Sequence, residues 1–195
     1  DYKHTLEGYK DTDPYYYAVY CLGEWGVLGQ TIFDARKVSE QLARWTKPVG
    51  QGEFVFSTGY DPEAHEVLVE DPSIRWVELP QGPVQMYRRP QGGHSYVIGA
   101  DTAGEGSDFN VGQVIDHATG EQVCTIRGQM DEDLFAKQLY CLGKYYNTAL
   151  ISIEANFSSY PIRELERLRY PRQYVRQTED SFTHRTRQSY GFKTS

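Results

Sequence analysis

Two acidic residues follow short apolar runs that have the pattern of buried strands. Asp101 ends the run YVIGAD, and Glu154 ends the run ALISIE. A helix is predicted between the two runs, which is the connection that neighbouring parallel strands require. Such neighbours lie about 4.8 Å apart, and ligands bind at the carboxyl ends of parallel strands. We therefore expect Asp101 and Glu154 to meet at one edge of a sheet.

A close pair of carboxylates predicts a divalent cation, because two unpaired acids repel each other and raise one pKa. Oxygen ligands without a nearby histidine or cysteine favour Mg²⁺ or Mn²⁺ over zinc. Two ions about 3.5–4 Å apart would activate a water and stabilise the leaving oxygen in phosphodiester hydrolysis. A single acid at a strand end is more often a turn former or a helix cap. The hypothesis therefore depends on the pair.

Composition indicates a globular protein. The 195 residues, 39% hydrophobic and 14% aromatic, are enough for one well-buried domain with or without an appendage. The net charge of -7 does not by itself indicate nucleic-acid binding. Cys21, Cys124 and Cys141 are widely spaced and predict no zinc site or disulfide framework, as expected in a reducing compartment. No apolar run approaches the roughly 18 residues that span a bilayer.

Positive charge is concentrated between residues 163 and 187. In this segment arginines outnumber acids. The charge count supports two alternatives equally: a basic face, or a helix surface covered by ion pairs. The arginines are Arg163, Arg167, Arg169, Arg172, Arg176, Arg185 and Arg187, and the acids are Glu164, Glu166, Glu179 and Asp180.

The chain divides into three predicted segments with an α/β character overall. Residues 1–47 have the pattern of helix and loop, and residues 48–93 that of a small β-rich connector. Residues 94–195 predict three antiparallel strands, a helix over 131–147, a strand, a second helix and a last strand. For the first of these helices the spacing predicts an Asp131 cap and a core-facing side. That side comprises Leu134, Gln138, Leu142 and Tyr145, widened by Phe135, Leu139 and Tyr146.

These motifs resemble a known family. The stretches YVIGADTAGEGSDFNVGQVIDHATGEQV, LGKYYNTALISIEANFSS and YGFKTS resemble the C-terminal nuclease domain of the large terminase subunit of tailed bacteriophages. Upstream, DPYYYAVYCLGEWGVLGQTIF resembles the segment in which the ATPase domain of that family ends. The resemblance implies an RNase H-like mixed sheet of three antiparallel strands followed by parallel strands with helices. It implies an ATPase remnant over 1–47, a connector over 48–93, and a nuclease domain over 94–195 that is truncated at its C-terminus.

The same resemblance implies residue roles. Asp101 would ligate and bridge two metal ions, Mg²⁺ or Mn²⁺, Glu154 would hold one of them, and Asp108 would be an accessory acid. Asn156 would contact a phosphate or a water. The third essential acid of the family would lie beyond Ser195, so the chain would be weakly active or inactive, and no Walker motif for ATP occurs. The candidate DNA-binding arginines are Arg163, Arg167, Arg169, Arg185 and Arg187.

The implied function is endonucleolytic cleavage of concatemeric double-stranded DNA during packaging. Implied partners are double-stranded DNA, the portal protein and the small terminase subunit, with no membrane, in the cytoplasm of an infected or lysogenic bacterial host. Three alternatives remain open: another RNase H-like enzyme such as a resolvase or transposase, an actin-like or sugar-kinase ATP-binding domain, and a non-catalytic docking module.

Overall fold

The structure, a computed structural model, describes residues 47–103, 108–179 and 186–194, with isolated positions at 9, 17, 37 and 38. The chain forms two compact units, Asp1–Thr46 and Lys47–Ser195. The predicted helical segment over 1–47 lies almost wholly outside the described residues. Its assignment to an ATPase remnant stays a prediction.

The second unit contains eleven described strands and two α-helices. The helices are α1 (Glu132–Tyr145) and α2 (Tyr160–Arg167). In the part of the chain that the structure describes, neither of these helices nor any other segment of helix could span a lipid bilayer. The strands are β1 (Gly50–Val55), β2 (Thr58–Asp61), β3 (Glu66–Val69), β4 (Arg75–Glu78), β5 (Val84–Met86), β6 (Tyr96–Asp101), β7 (Asn110–Asp116), β8 (Gln122–Gly128), β9 (Leu150–Ile153), β10 (Val175–Glu179) and β11 (Thr186–Tyr190).

A seven-stranded mixed sheet organises this unit, in the order β4-β1-β5-β8-β7-β6-β9. Within this sheet β6 and β9 pair in parallel, and the other neighbours pair antiparallel. Three consecutive antiparallel strands, followed through a helix by a fourth strand parallel to the first, form the RNase H-like arrangement. The predicted fold class is confirmed.

Three strands of the predicted connector belong to the same sheet. Strand β5 pairs with β8, with Val84 opposite Ile126, and β1 links β5 to β4. Only β2 and β3 form a separate hairpin in the described part of this segment. The predicted division at residue 93 therefore does not coincide with a break in the sheet.

Helix α1 packs on one face of the sheet with Phe135, Leu139 and Leu142 fully buried. The predicted core-facing side is wrong at Leu134, which is 44% exposed, because the buried arc is centred one residue further along the helix. The predicted Asp131 cap forms no side-chain capping hydrogen bond. Its backbone oxygen instead accepts a hydrogen bond from the N–H of Phe135 at 2.9 Å.

One buried polar side chain of α1 completes the edge of β1. The Gln138 side-chain oxygen accepts from the Phe54 N–H at 3.1 Å, and its amide donates to the Phe54 oxygen at 2.7 Å. Both residues are buried. Gln138 thus satisfies the two backbone groups that a further strand would otherwise pair.

The C-terminal residues return to the end of β9. Phe192 forms an isolated parallel bridge with Glu154, in which the Phe192 N–H donates to the Ile153 oxygen at 3.0 Å and the Ala155 N–H donates to the Phe192 oxygen at 2.8 Å. Gly191 makes this approach possible with φ +77 and a buried position. We call residues 190–194 the C-terminal strap.

The Gln138 contact predicts a stability effect. Gln138→Met keeps a similar shape but leaves the buried N–H and C=O of Phe54 without partners. The free energy of unfolding, measured by urea denaturation, is expected to fall by about 1–3 kcal/mol. The exposed Gln177→Met on β10 is the control, and equal effects of the two substitutions would contradict the assignment.

The turn at Gly191 predicts a loss of stability when this glycine is replaced. In Gly191→Ala the new Cβ would lie 2.6 Å from Cδ1 of Ile162 and 2.7 Å from the Ile153 oxygen, at a φ that alanine rarely adopts. Stability is expected to fall by on the order of 1–3 kcal/mol. Gly92→Ala is the matched control, because nothing lies within 4 Å of a Cβ there. Unfolding midpoints that shift equally for both variants would show that the turn does not require glycine.

Candidate metal-binding acid pair

The register of β6 and β9 places Asp101 beside Glu154. Ala100 lies opposite Ile153, and the Glu154 N–H donates to the Ala100 oxygen at 2.9 Å. Ala100 and Ile153 are buried on the face that α1 covers. Because side chains alternate along a strand, the next residue of each strand points to the opposite, open face. The structure therefore brings the two predicted acids together.

Their electrostatics show mutual repulsion. Partial burial raises the pKa of Asp101, and the negative charge of Glu154 and the hydrogen bond between the two carboxyl groups raise it further. The Thr102 backbone N–H acts in the opposite direction but does not cancel these effects. The pair is thus more favourable when it shares a proton, or a cation, than when both acids are ionised and alone.

Glu154 is fixed by donors from two segments. The Asn156 amide donates to Oε1 of Glu154 at 2.8 Å, and the Thr194 hydroxyl donates to the same oxygen. Asn156 also donates to the Thr194 backbone oxygen at 3.0 Å. The sequence predicted a phosphate or water contact for Asn156, whereas in the structure its amide binds the acid itself.

An open groove of about 280 Å³ adjoins Asp101 on the face opposite α1. Its floor includes Gly99, where nothing lies within 4 Å of the position that a Cβ would occupy. The groove gives a ligand access to the carboxylate from this open face. It is lined by Gly99, Ala100, Asp101, Val111, Gln113, Ile115 and Phe192.

Asp108, the third predicted acid, is exposed just before β7. Among the residues that the structure describes, no group of three or more His, Cys, Asp or Glu side chains is suited to hold a metal. The described geometry thus brings together two of the three acids. The accessory role of Asp108 stays a prediction.

A further residue that the sequence did not single out stabilises this end of β6. Asn110 is buried, its side-chain oxygen accepts from the Ala103 N–H at 2.9 Å, and its amide donates to the Met130 oxygen at 2.7 Å. It therefore joins the segment after Asp101 to the loop before α1. A polar residue at the first position of a strand, on the same alternating set as the buried Gly112 and Val114, is the available sequence signal.

The predicted DNA-binding arginines differ in their surroundings. Arg163 is exposed on α2 and Arg187 is exposed on β11. Arg169 lies 3.7 Å from Asp61 in an ion pair. Arg185 lies outside the described residues. Their contact with DNA stays a prediction.

Arg167 is held within the protein by several groups. It donates to Glu164 at 2.6 and 2.8 Å and to the Val67 oxygen at 2.8 Å, and it lies 3.6 Å from Glu66. The hydrogen bonds with Glu164 raise the pKa of its guanidinium despite the opposing effect of burial. The sequence left two alternatives for the arginine-rich segment, a basic face or a helix surface covered by ion pairs. At Arg167 the structure favours the ion pairs.

The acid pair predicts a pH-dependent stability. Since the pKa of Asp101 is raised, the folded protein binds this proton more tightly than the unfolded chain. That stabilisation is complete below the usual aspartate value of 3.8 and is lost as pH rises through the raised pKa. Asp101→Asn, which stays neutral, should therefore be more stable than the wild type at neutral pH without metal, and equally stable below pH 3.8.

Urea denaturation across this pH range, in buffer with a chelator, measures the effect. Asp133→Asn is the control, because Asp133 forms an ion pair with Lys137 at 2.7 Å and its loss should not stabilise the protein. A wild type as stable as Asp101→Asn at neutral pH would show that the two acids do not repel each other.

Comparisons with known proteins give matches among solved structures. The chain is similar to the large terminase nuclease of thermophilic phage G20c, at 16% sequence identity and a TM-score of 0.41, over 58% of this chain and 80% of that chain. The G20c nuclease with bound magnesium matches at 23% identity and a TM-score of 0.41, over 45% of this chain and 47% of that chain. The G20c nuclease is also solved with bound zinc and with bound cobalt.

The large terminase nuclease domain of Thermus phage P74-26 matches at 18% identity and a TM-score of 0.34, over 56% of this chain and 77% of that chain. No protein-family model matches the sequence, and a search of curated proteins finds no match. The matched structures named here are nucleases of phage large terminases.

Proposed function

We propose that the chain is the nuclease part of a phage DNA-packaging large terminase, a metal-dependent endonuclease that cleaves concatemeric double-stranded DNA. The observation that carries the proposal is the convergence of Asp101 and Glu154 at the carboxyl ends of two parallel strands. Neither acid has an ion-pair partner among the described lysines, arginines and histidines. A cation is the simplest remaining counter-charge.

The donor set fits Mg²⁺ or Mn²⁺. Asp101 and Glu154 would hold the ion through carboxylate oxygens, the ligands that these hard cations prefer, and Asp108 would be an accessory ligand. When bound, a pair of such ions activates water and stabilises the leaving oxygen of a phosphodiester. Without an ion the pair repels, so binding of the ion relieves an unfavourable charge state.

The residues of the chain itself orient the substrate. The groove beside Asp101 leaves room for a strand of DNA to approach the acids from the open face of the sheet. Arg163 and Arg187 are exposed and are suited to phosphate contacts that carry little sequence information. In a packaging machine the partners would be double-stranded DNA, the portal protein and the small terminase subunit, in the cytoplasm of the bacterial host.

Two measurements test this function together. Mn²⁺ binding is followed by calorimetry, and cleavage is followed as nicking of supercoiled plasmid in Mg²⁺ or Mn²⁺. Asp101→Asn and Glu154→Gln are each expected to weaken Mn²⁺ binding and to reduce any nicking by the wild type at least about 100-fold, because metal-ion stabilisation contributes several kcal/mol.

The matched control is Glu63→Gln, which makes the same chemical change at an exposed position of the β2–β3 hairpin and should leave both readouts unchanged. Wild-type protein that binds no Mn²⁺ would contradict the proposal, because even a weakly active nuclease site must bind its metal. If ATP raised the unfolding temperature of the protein, and raised it equally in Asp101→Asn and Glu154→Gln, the result would instead support an actin-like or sugar-kinase domain.

A further inference from the structure

We propose that Thr194 and Asn156 are positioning residues that hold one carboxylate oxygen of Glu154 and leave the other oxygen for a divalent cation shared with Asp101. This inference rests on the proposed function, because it assigns the two residues a part in forming the same metal site. Neither residue is itself placed in contact with the ion.

The contacts converge on a single atom. The Asn156 amide and the Thr194 hydroxyl both donate to Oε1 of Glu154, and the amide also donates to the Thr194 backbone oxygen at 3.0 Å. An ionised carboxylate has two oxygens, each able to accept more than one hydrogen bond. With two donors on Oε1, this oxygen is occupied and Oε2 is the better ligand for a cation.

The C-terminal strap brings Thr194 next to the carboxylate of Glu154, although the two residues are 40 positions apart in the sequence. Phe192 bridges Glu154 in parallel, and the positive φ of Gly191 turns the chain so that Thr194 comes beside the carboxylate. Asn156 lies two residues beyond Glu154, on the exit of β9, and closes the same network. A strand end and a distant segment therefore fix the acid from two directions.

This arrangement has a consequence for metal affinity. Glu154 is only half-buried, and a glutamate side chain that moves freely loses rotamer freedom when it binds an ion. Some groups hold a metal-binding side chain in place before the ion arrives. Their removal typically lowers metal affinity by about 10–100-fold. A network that served only to close the strap would change stability but not affinity.

The experiment separates these roles by measuring Mn²⁺ affinity and unfolding midpoint on the same proteins. Thr194→Val removes the hydroxyl with little change of shape, Thr194→Ser keeps it, and Asn156→Leu removes the amide. Mn²⁺ affinity is measured by calorimetry and by the electron paramagnetic resonance signal of the free ion. Thr186→Val, at an exposed position on β11, is the matched control.

We expect Thr194→Val and Asn156→Leu each to weaken Mn²⁺ binding by about 10–100-fold, while Thr194→Ser and Thr186→Val bind like the wild type. Wild-type affinity in both Thr194→Val and Asn156→Leu, with binding still lost in Asp101→Asn and Glu154→Gln, would overturn the inference and leave the proposed function standing. Equal losses in Thr194→Ser and Thr194→Val would also overturn it, since the hydroxyl would then not be the cause. A wild type that binds no Mn²⁺ would overturn the proposed function as well.

Discussion

The parallel pairing of β6 with β9 decides where the two acids lie. Each strand is apolar and buried at alternate positions, so its register is fixed by burial against α1. A slip of one residue in either strand would turn its acid toward the core and separate the two carboxylates. The position of the acid pair thus depends on apolar packing on the opposite face of the sheet.

The rest of the unit stabilises this pairing against the repulsion that it creates. The sheet is widened by β5, β1 and β4, and the buried Gln138 satisfies the backbone of Phe54 at the point where the pairing with β5 has ended. The strap adds hydrogen bonds beyond the end of β9. Two like charges can be held at one edge because many remote contacts offset their cost.

Two parts of the surface differ in character: the open face of the sheet has a groove beside Asp101, and one side of α2 is covered by ion pairs. The groove beside Asp101 is mostly lined by small or apolar residues of β6 and β7, which leaves space next to the carboxylate. On α2, Arg167 joins Glu164 to the β2–β3 hairpin. An arginine-rich segment in the sequence therefore contains both internal ion pairs and exposed cations, and only the latter are suited to a phosphate backbone.

Local patterns in the sequence were enough to predict strands β6 to β10, helices α1 and α2, and the meeting of Asp101 with Glu154, but not β11. Alternation, helical spacing and a strand-helix-strand order can be recognised over short stretches of chain. The same patterns could not predict that β5 joins β8, that Leu134 faces outward, or that Asn156 and Thr194 bind one oxygen of Glu154. These features arise from tertiary packing. Their partners are far apart along the chain, and their geometry depends on how whole elements pack, which no short stretch of residues records.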